Sequence, residues 1–570
     1  MSVNLYEIPI TPVVDLDSDV VVYVPGYAKK GPLEPTLVTA DTFKNIFGDS
    51  PYTFANGDNT SLSKNTMGKN APDRGWLYAK GLLDAGLTVL YHRIPDSADT
   101  AYAITNSIGV TITPPSRKEG VSSSEPLPSY PTSSQCTVKF RAKFPGASYT
   151  DFSVSVGPFS DGAQKLIVYK KEVVDGEEQQ EKVQETYVSF NPDDPYFIGK
   201  PDVLNDLEIQ FFLEEKQVDN LRDEFSLNNI YSPDSKKFNP GSISLNLPQL
   251  PTPSYALSLP SVSSGSTEFS VSGLFTNLLG STSPSKPSKL DVLTDTDTYP
   301  TITYITSGGY YQTTGLAKKM LEVASNIKAI ALIDLQEAVT DDRSEEGGII
   351  KTLSDLGADP TDYIKGAAFV GADTFKFYED NRTMADSYGY LTKLGKNLSQ
   401  AIPAWIPVAN VPQGVTSAVA TTRPISYSKK AALIPPDNRG IAVNPIVYKQ
   451  NSGYTIMGNR TLAKLNGGTG PDAFLNCQLV VNSVLRSARR AAADLLIVST
   501  SPTTAFSTFY SAVSKTCEKM LVNGDGLAAY NIIKLKKTKP ATIDIQIELT
   551  VVEGIETFNI YVPYQIALDA

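Results

Sequence analysis

Histidine is almost missing from this chain: there is one, His92, in 570 residues, with three cysteines (Cys136, Cys477 and Cys517) and two tryptophans. No CxxC or HxxxH pair exists to seed a zinc site of the usual His/Cys kind. A Ser-His-Asp or Cys-His arrangement could draw only on His92. Long apolar runs are lacking too: no window reaches the ~18 consecutive apolar residues of a membrane-spanning helix. Three scattered cysteines argue against a disulfide framework and suit a reducing compartment. The first residues, MSVNLYEIPITPVVDLDSD, have neither the basic start nor the apolar stretch of a secretory signal. Positive charge is also short, with 50 Lys+Arg against 61 Asp+Glu and a net charge of −11. That balance argues against a general nucleic-acid binder, which relies on excess Lys and Arg to neutralise phosphates. The expectation is a soluble, cytoplasm-made, multi-domain protein with no catalytic residue, no cofactor and no metal site.

What is present alternates between structured and biased stretches. Residues 1–20 hold Glu7, Asp15, Asp17 and Asp19 but no Lys or Arg, with Val3, Leu5, Ile8 and Ile10 interrupted by Pro9 and Pro12. Such a segment is too short and broken to make a core and reads as an extended arm. Val20–Val24, closed by Pro25-Gly26, reads as a buried strand ending in a turn. Thr39 fits a helix N-cap, with Phe43, Ile46 and Phe47 on one face and Gly48 just past the end. Residues 75–85 suggest a second helix and Leu87–Tyr91 the next strand. From 113 to 134, 12 of 22 residues are Ser or Pro, a composition that cannot bury a core. Strand-like alternation over 136–213 predicts a β-rich insertion. Residues 232–290, with 24 Ser or Pro in 59, read as an exposed continuation of it.

Beyond 300 the pattern becomes helix and apolar strand in turn, which predicts a parallel α/β sheet. A helix ends near Lys328 before the strand Ala329–Ile333. A helix around Ile349–Leu356 precedes the strand Ala367–Val370, and a helix over 381–400 leads into a strand at Ile402–Val408. Helices over 473–497 and 503–522 follow, split by Ser501-Pro502. Phe506, Phe509, Tyr510, Val513, Cys517, Met520 and Leu521 form an apolar stripe on the second. Ile543, Ile545, Ile547, Leu549 and Val551 alternate with polar residues as in a half-buried antiparallel strand. Phe558, Ile560 and Val562 make a last short strand.

The motifs that carry chemistry are absent or imperfect. Gly389 and Gly395-Lys396-Asn397 miss the phosphate-loop spacing and put Asn where a metal-binding hydroxyl belongs, so they read as a helix segment. Asp15, Asp17 and Asp19 resemble the start of a calcium loop, but Val20 and Gly26 stand at its required glycine and glutamate positions. His92 reads as a structural histidine and Cys477 and Cys517 as core residues. Charge, by contrast, is sharply partitioned: residues 411–540 hold 16 Lys+Arg and five Asp+Glu, whereas residues 541–570 hold five acids and no base. Two acidic ends thus flank a basic region. On the helix from 473, Asn482, Arg486, Arg489 and Arg490 share one face, opposite Cys477, Val480, Val484, Ala488, Ala491 and Leu495. That basic face is read as an interaction surface.

Several segments resemble the contractile tail sheath family. They are Ser452–Leu462 with Gly458-Asn459-Arg460-Thr461, Phe474-Leu475-Asn476 opening a long helix, the helix through Phe509 and Leu521, and Asn523-Gly524 before a strand. Upstream, Pro407–Val411 and Ile441–Ile446 also resemble family segments, as do Gly26, Gly31-Pro32, Thr39 and Phe47-Gly48. The likeness covers the first hundred residues and about 300–570, in order. Cys477-Gln478-Leu479 departs from it, standing where the family often carries an Arg pair.

The resemblance implies a mixed α/β and α+β multi-domain protein. Its parts would be an arm (1–20), an N-terminal core segment (21–112) and an inserted β-rich domain (113–300). A non-catalytic, subtilisin-like α/β domain (301–456), an α+β C-terminal domain with two long helices and antiparallel strands (457–554), and a strand arm (555–570) would follow. It further implies a non-enzymatic homo-oligomer of stacked hexameric rings around a tail tube, meeting baseplate and tail terminator proteins, with no direct nucleic-acid contact and no membrane insertion. In a phage this would be a virion component assembled in the host cytoplasm. Val3, Leu5, Ile8, Ile10, Phe558, Ile560 and Val562 would be the intersubunit strands, and Asn482, Arg486, Arg489 and Arg490 the tube-facing helix. The competing readings are a sheath from a bacteriocin or other injector, an α/β hydrolase using His92, and an adhesin built on the Ser/Pro-rich insertion.

Overall fold

The structure, a computed structural model, describes residues 20–28, 30–48, 74–94, 102–105, 108–112, 136–158, 164–174 and 177–187, short strands between 209 and 258, and residues 271–280, 287–296 and 298–299. It further describes residues 301–335, 353, 355–358, 360–377, 380–421, 424–425, 433–434, 441–463, 471–495, 502–521, 526–535 and 543–552. Both expected arms, apart from Val20, lie outside the described residues. So does most of the helix expected around Ile349–Leu356.

The chain opens with β1 (Val21–Gly26), β2 (Thr36–Val38), α1 (Ala40–Phe47), α2 (Arg74–Asp84) and β3 (Thr88–Arg93). Helix α1 begins and ends where its caps dictate. Thr39 and Thr42 form a reciprocal capping box, and Gly48, at φ 77°, takes the left-handed position that ends the helix. Its Phe43 and Phe47 pack on Tyr91.

An insertion of short antiparallel strands then leaves the core: β4 (Ile104–Thr105), β5 (Ile108–Ile112), β6 (Cys136–Ala142), β7 (Phe152–Pro158), β8 (Gln164–Val174), β9 (Glu177–Tyr187), β10 (Ile209–Phe212), β11 (Tyr231–Ser232), β12 (Lys237–Phe238), β13 (Ile243–Leu245) and β14 (Tyr255–Ser258). All but β11 and β12, which pair with each other, belong to one nine-stranded antiparallel sheet. The strand-like alternation over 136–213 thus corresponds to strands, and the last described strand of this sheet ends at Ser258. Helix α3 (Val271–Leu279) buries Leu274, Phe275 and Leu278 in the main core together with Leu290 and Leu293. The Ser/Pro-rich reading of 232–290 as exposed is therefore corrected at its end.

The core resumes with β15 (Ile302–Ile305), α4 (Thr314–Ile327), β16 (Ile330–Ile333), β17 (Gly366–Val370), β18 (Thr374–Phe377), β19 (Asp380–Thr383) and α5 (Ser387–Ser399). After β20 (Ala418–Ala420) come β21 (Asn444–Lys449) and β22 (Gly453–Ile456). Eight strands make one sheet in the order β2-β3-β1-β15-β16-β17-β21-β22, parallel from β3 to β21 with an antiparallel strand at each edge. The N-terminal and middle segments are thus halves of one sheet. Alternate residues feed opposite cores: Val21, Tyr23, Ala331 and Ile333 pack with α3 and α4, whereas Val22, Val24, Ile330 and Leu332 pack with α1, α2 and α5. Two covered faces explain the unbroken apolar strands. The strand expected at Ile402–Val408 is not one; the chain turns there, and the strand beside β17 is β21. The helix expected over 381–400 starts only at Ser387, because 380–383 pairs with β18.

The C-terminal unit is α6 (Leu475–Ala493), α7 (Pro502–Leu521) and the hairpin β23 (Leu527–Lys534) with β24 (Ile545–Val551). Val480, Val484 and Ala491 of α6 pack with Phe509, Val513, Cys517 and Met520 of α7 and with Leu527 and Ile532 of β23. Burying each large apolar side chain contributes about 1.5–3 kcal/mol. Tyr510 and Leu521, placed by sequence in the α7 stripe, are exposed instead.

Candidate assembly interface

In an open α/β sheet, small ligands bind where the strand order reverses, outside the carboxyl ends of the strands. Here that point lies between β1 and β15, and the protein's own backbone fills it. A Cβ on Gly308 would sit 2.0 Å from the Pro25 carbonyl oxygen, and one on Gly75 would sit 2.6 Å from the Gly26 Cα. The buried carboxylate nearby serves the fold: Asp334 accepts from the Ser387 backbone N–H at 3.0 Å and from its hydroxyl, at the N-terminus of α5. His92, the hydrolase alternative's natural base, is buried, with Nδ1 hydrogen-bonded to the Tyr23 hydroxyl at 2.8 Å. Burial, reinforced by Lys289, pushes its pKa down to about 3. Gly389 and Gly395 lie inside α5, where Gly395 lets the helix approach the Ala85 carbonyl. Among the described residues no group of three or more His, Cys, Asp or Glu could hold a metal ion, and no helix is long and apolar enough to cross a membrane.

The polar chemistry gathers instead where α6 meets the sheet. Asn444, at the start of β21, clamps the segment that leads out of β22. Its Nδ2 donates to the Ala368 and Arg460 carbonyls at 3.1 and 2.9 Å, and its Oδ1 accepts from the Arg460 N–H at 2.7 Å. Gly458 is required because a Cβ there would lie 2.6 Å from Asn444 Oδ1. Asn459 donates to Asn476 at 2.6 Å, Arg460 stacks over Phe474 at 4.6 Å, and Thr461 donates through N to Ala473 and through Oγ1 to the Asp472 carbonyl. The Gly-Asn-Arg-Thr and Asn-Pro segments singled out in the sequence are therefore one joint, fixing the start of α6 to the sheet. Asn476 carries it further by donating to the Val552 carbonyl at 3.0 Å, just after β24.

Along α6, the four residues expected to face a tube divide. Asn482 is fully buried, and its Oδ1 accepts from Lys365 Nζ at 2.5 Å. Arg486 Nη1 donates to the Lys328 carbonyl at 3.0 Å, at the C-terminus of α4, and burial brings its pKa down to about 10. Arg489 is exposed and reaches the Asn326 carbonyl at 3.4 Å, and Arg490 is half-buried. The reading of this face as free for a partner is corrected at Asn482 and Arg486. The carbonyls ending α4 lie against α6, and they attract the cations that helical spacing alone made look solvent-facing. Lys365 was not singled out in the sequence, since nothing local distinguishes it. It is buried between the layers and donates to Gln478 Oε1 at 2.7 Å as well as to Asn482.

The hairpin β23–β24 has the half-buried alternation expected of it: Ile545, Ile547, Leu549 and Val551 pack on the C-terminal cluster while Gln546, Glu548 and Thr550 face out. Among the described residues the two strands pair only with each other. Val3, Leu5, Ile8, Ile10, Phe558, Ile560 and Val562 all lie outside the described residues.

No family model matches this sequence, and no curated protein does. Solved structures similar to it include tail sheath proteins. One is the sheath tail protein of Listeria innocua, 8% identical, with 94% of this chain and 95% of that one covered at a TM-score of 0.49. The sheath tail protein of Desulfitobacterium hafniense is 12% identical over 97% of this chain and 100% of that one, at 0.42. A chain of the PVC sheath complex, from an extracellular contractile injection system in the contracted state, is 15% identical over 49% of this chain and 76% of that one, at 0.38.

Proposed function

We propose that this chain is a structural subunit of a contractile injection particle. It polymerises in stacked hexameric rings around an inner tube, and contraction of the array drives the tube through a target cell envelope. The observation that carries the proposal is the hairpin β23–β24. A two-stranded sheet is marginal by itself, and among the described residues this one pairs only with itself, β23 lying in the basic stretch and β24 in the acidic one, while both chain ends are acidic and carry alternating apolar residues. A neighbour's ends, laid along the hairpin, would add main-chain hydrogen bonds that survive rigid-body rotation of whole subunits. A head-to-tail contact of this kind generates an open helical array. The sequence segments that resemble the sheath family form the joint beneath this hairpin, which is where a force-transmitting subunit needs rigidity.

In this reading the partners are further copies of the chain, a tail tube protein, and baseplate and terminator proteins at the two ends. The particle is a bacteriophage tail, where the outcome is genome ejection; a tail-derived bacteriocin or other injector is the alternative. Residues 1–20 and 555–570 are the exchanged strands, and of the basic helix face the exposed Arg489 is the residue offered to an acidic tube. Electron microscopy of the purified full chain tests it. The full chain is expected to form long tubes, and deletion of residues 1–20 is expected to leave a folded monomer that forms none. Tubes of normal length from the deleted protein would overturn the strand exchange.

A further inference from the structure

Lys365 ends the short helical turn Pro360–Lys365 before β17, and Asn482 lies in the middle of α6. Nζ of Lys365 is 2.5 Å from Asn482 Oδ1, across 117 residues of sequence, and both side chains are buried. We propose that these two residues are joined by an intramolecular isopeptide bond that ties the C-terminal unit covalently to the α/β layer.

Three features of the pair point to this chemistry. The amine is poised to attack: burial, with Lys328 and Arg486 adding to it against the opposing pull of Asp472, brings the Lys365 pKa down to about 8. A neutral amine is therefore accessible near neutral pH. The leaving group is unrestrained, since Asn482 Nδ2 is buried with no hydrogen-bond partner. The competing acceptor is restrained, because Gln478 Oε1 also lies 2.7 Å from Lys365 Nζ but Gln478 Nε2 donates to Asp472 Oδ1 at 3.0 Å. That selects Asn482 over Gln478.

The step needs no oxidant, reductant or cofactor. An ammonium at Lys365 first gives one proton to water. The Nζ lone pair forms a bond to Asn482 Cγ, a proton passes from Nζ to Nδ2, the Cγ–Nδ2 bond breaks, and ammonia leaves. A buried cation and an orphaned primary amide become one neutral secondary amide, whose N–H can still donate to Gln478 Oε1. A buried charge and an unpaired buried donor are both costly, so the product removes two penalties at once.

Intact-mass measurement of the full-length protein decides the matter without any variant. After allowance for the initiator methionine, the expected mass is lower than the sequence mass by one ammonia. A proteolytic digest should contain a branched peptide joining the Lys365 and Asn482 segments. Lys365→Arg is expected to restore the full mass, and Asn482→Asp to lose one water in place of one ammonia. A full sequence mass with separate Lys365 and Asn482 peptides would overturn the proposal, and a branch through Gln478 would overturn the assignment to Asn482.

Discussion

His92 shows how burial turns a catalytic candidate into a structural constraint. Its ring meets the Tyr23 hydroxyl at Nδ1 and makes a backbone hydrogen bond with Leu33, and it is almost wholly enclosed. The folded pKa of about 3 lies below the ordinary 6.5, so the folded state binds fewer protons than the unfolded chain between those values. The contribution is therefore complete above about pH 6.5 and is lost as pH falls toward 3, with a full span of about 5 kcal/mol. Replacing His92 by Gln, which keeps an acceptor but does not titrate, should cost about 1–2 kcal/mol near neutrality. It should also flatten the acid limb of stability. Denaturant unfolding of both proteins from about pH 4 to about pH 7 checks this, and parallel pH profiles would refute it. The sequence made this histidine's role legible because no partner was spaced to assist it. It hid Arg486, because helical spacing places a cation on a face without revealing that the end of α4 lies opposite.

Elements with a local signal were readable, and those decided by distant packing were not. Helix α1 carries its own start and stop in Thr39 and Gly48, and β24 carries its alternation, so both fall where expected. The apolar run at Ile402–Val408 gave no such guide. The place beside β17 is taken by β21, whose Asn444 side chain supplies bonds to Ala368 and Arg460 that an aliphatic strand could not. Helix α3 was masked by the Ser and Pro around it. The joint under α6 includes three hydrogen bonds to the Asn444 side chain. Truncation by Asn444→Ala would strand the Arg460 N–H and two carbonyls and should cost about 2–4 kcal/mol. Since Arg460 lies between β22 and α6, limited proteolysis should then cut between those two elements well before global unfolding. A loss of stability spread evenly over the chain, with no early cut there, would mean that Asn444 supports the sheet alone.

The whole chain is organised so that its charges lie apart along the sequence while its sheet is stitched from pieces far apart. Residues 21–93 and 302–456 share the eight-stranded sheet, and the insertion leaves it at β4 and returns before α3. The basic stretch 411–540 supplies β21, β22, α6, α7 and β23, whereas the acids of residues 1–20 and 541–570 sit at the two ends. If those ends pair with the C-terminal units of neighbouring copies, opposite charges meet at every exchanged strand, and the attraction acts over a Debye length of about 10 Å at 0.1 M salt. Assembly should then slow steeply as sodium chloride rises from about 0.05 M to about 0.5 M, because screening removes the steering that brings acidic ends to basic units. Hydrophobic burial responds in the opposite sense, being favoured by salting-out ions, so the sign of the salt effect separates the two driving forces. Light scattering gives the rate, and Asp15→Asn, Asp17→Asn and Asp19→Asn together should lower both the rate in dilute salt and its salt dependence. Assembly that accelerates with salt, or that ignores the three substitutions, would assign the contact to apolar burial and leave the charge partition to solubility.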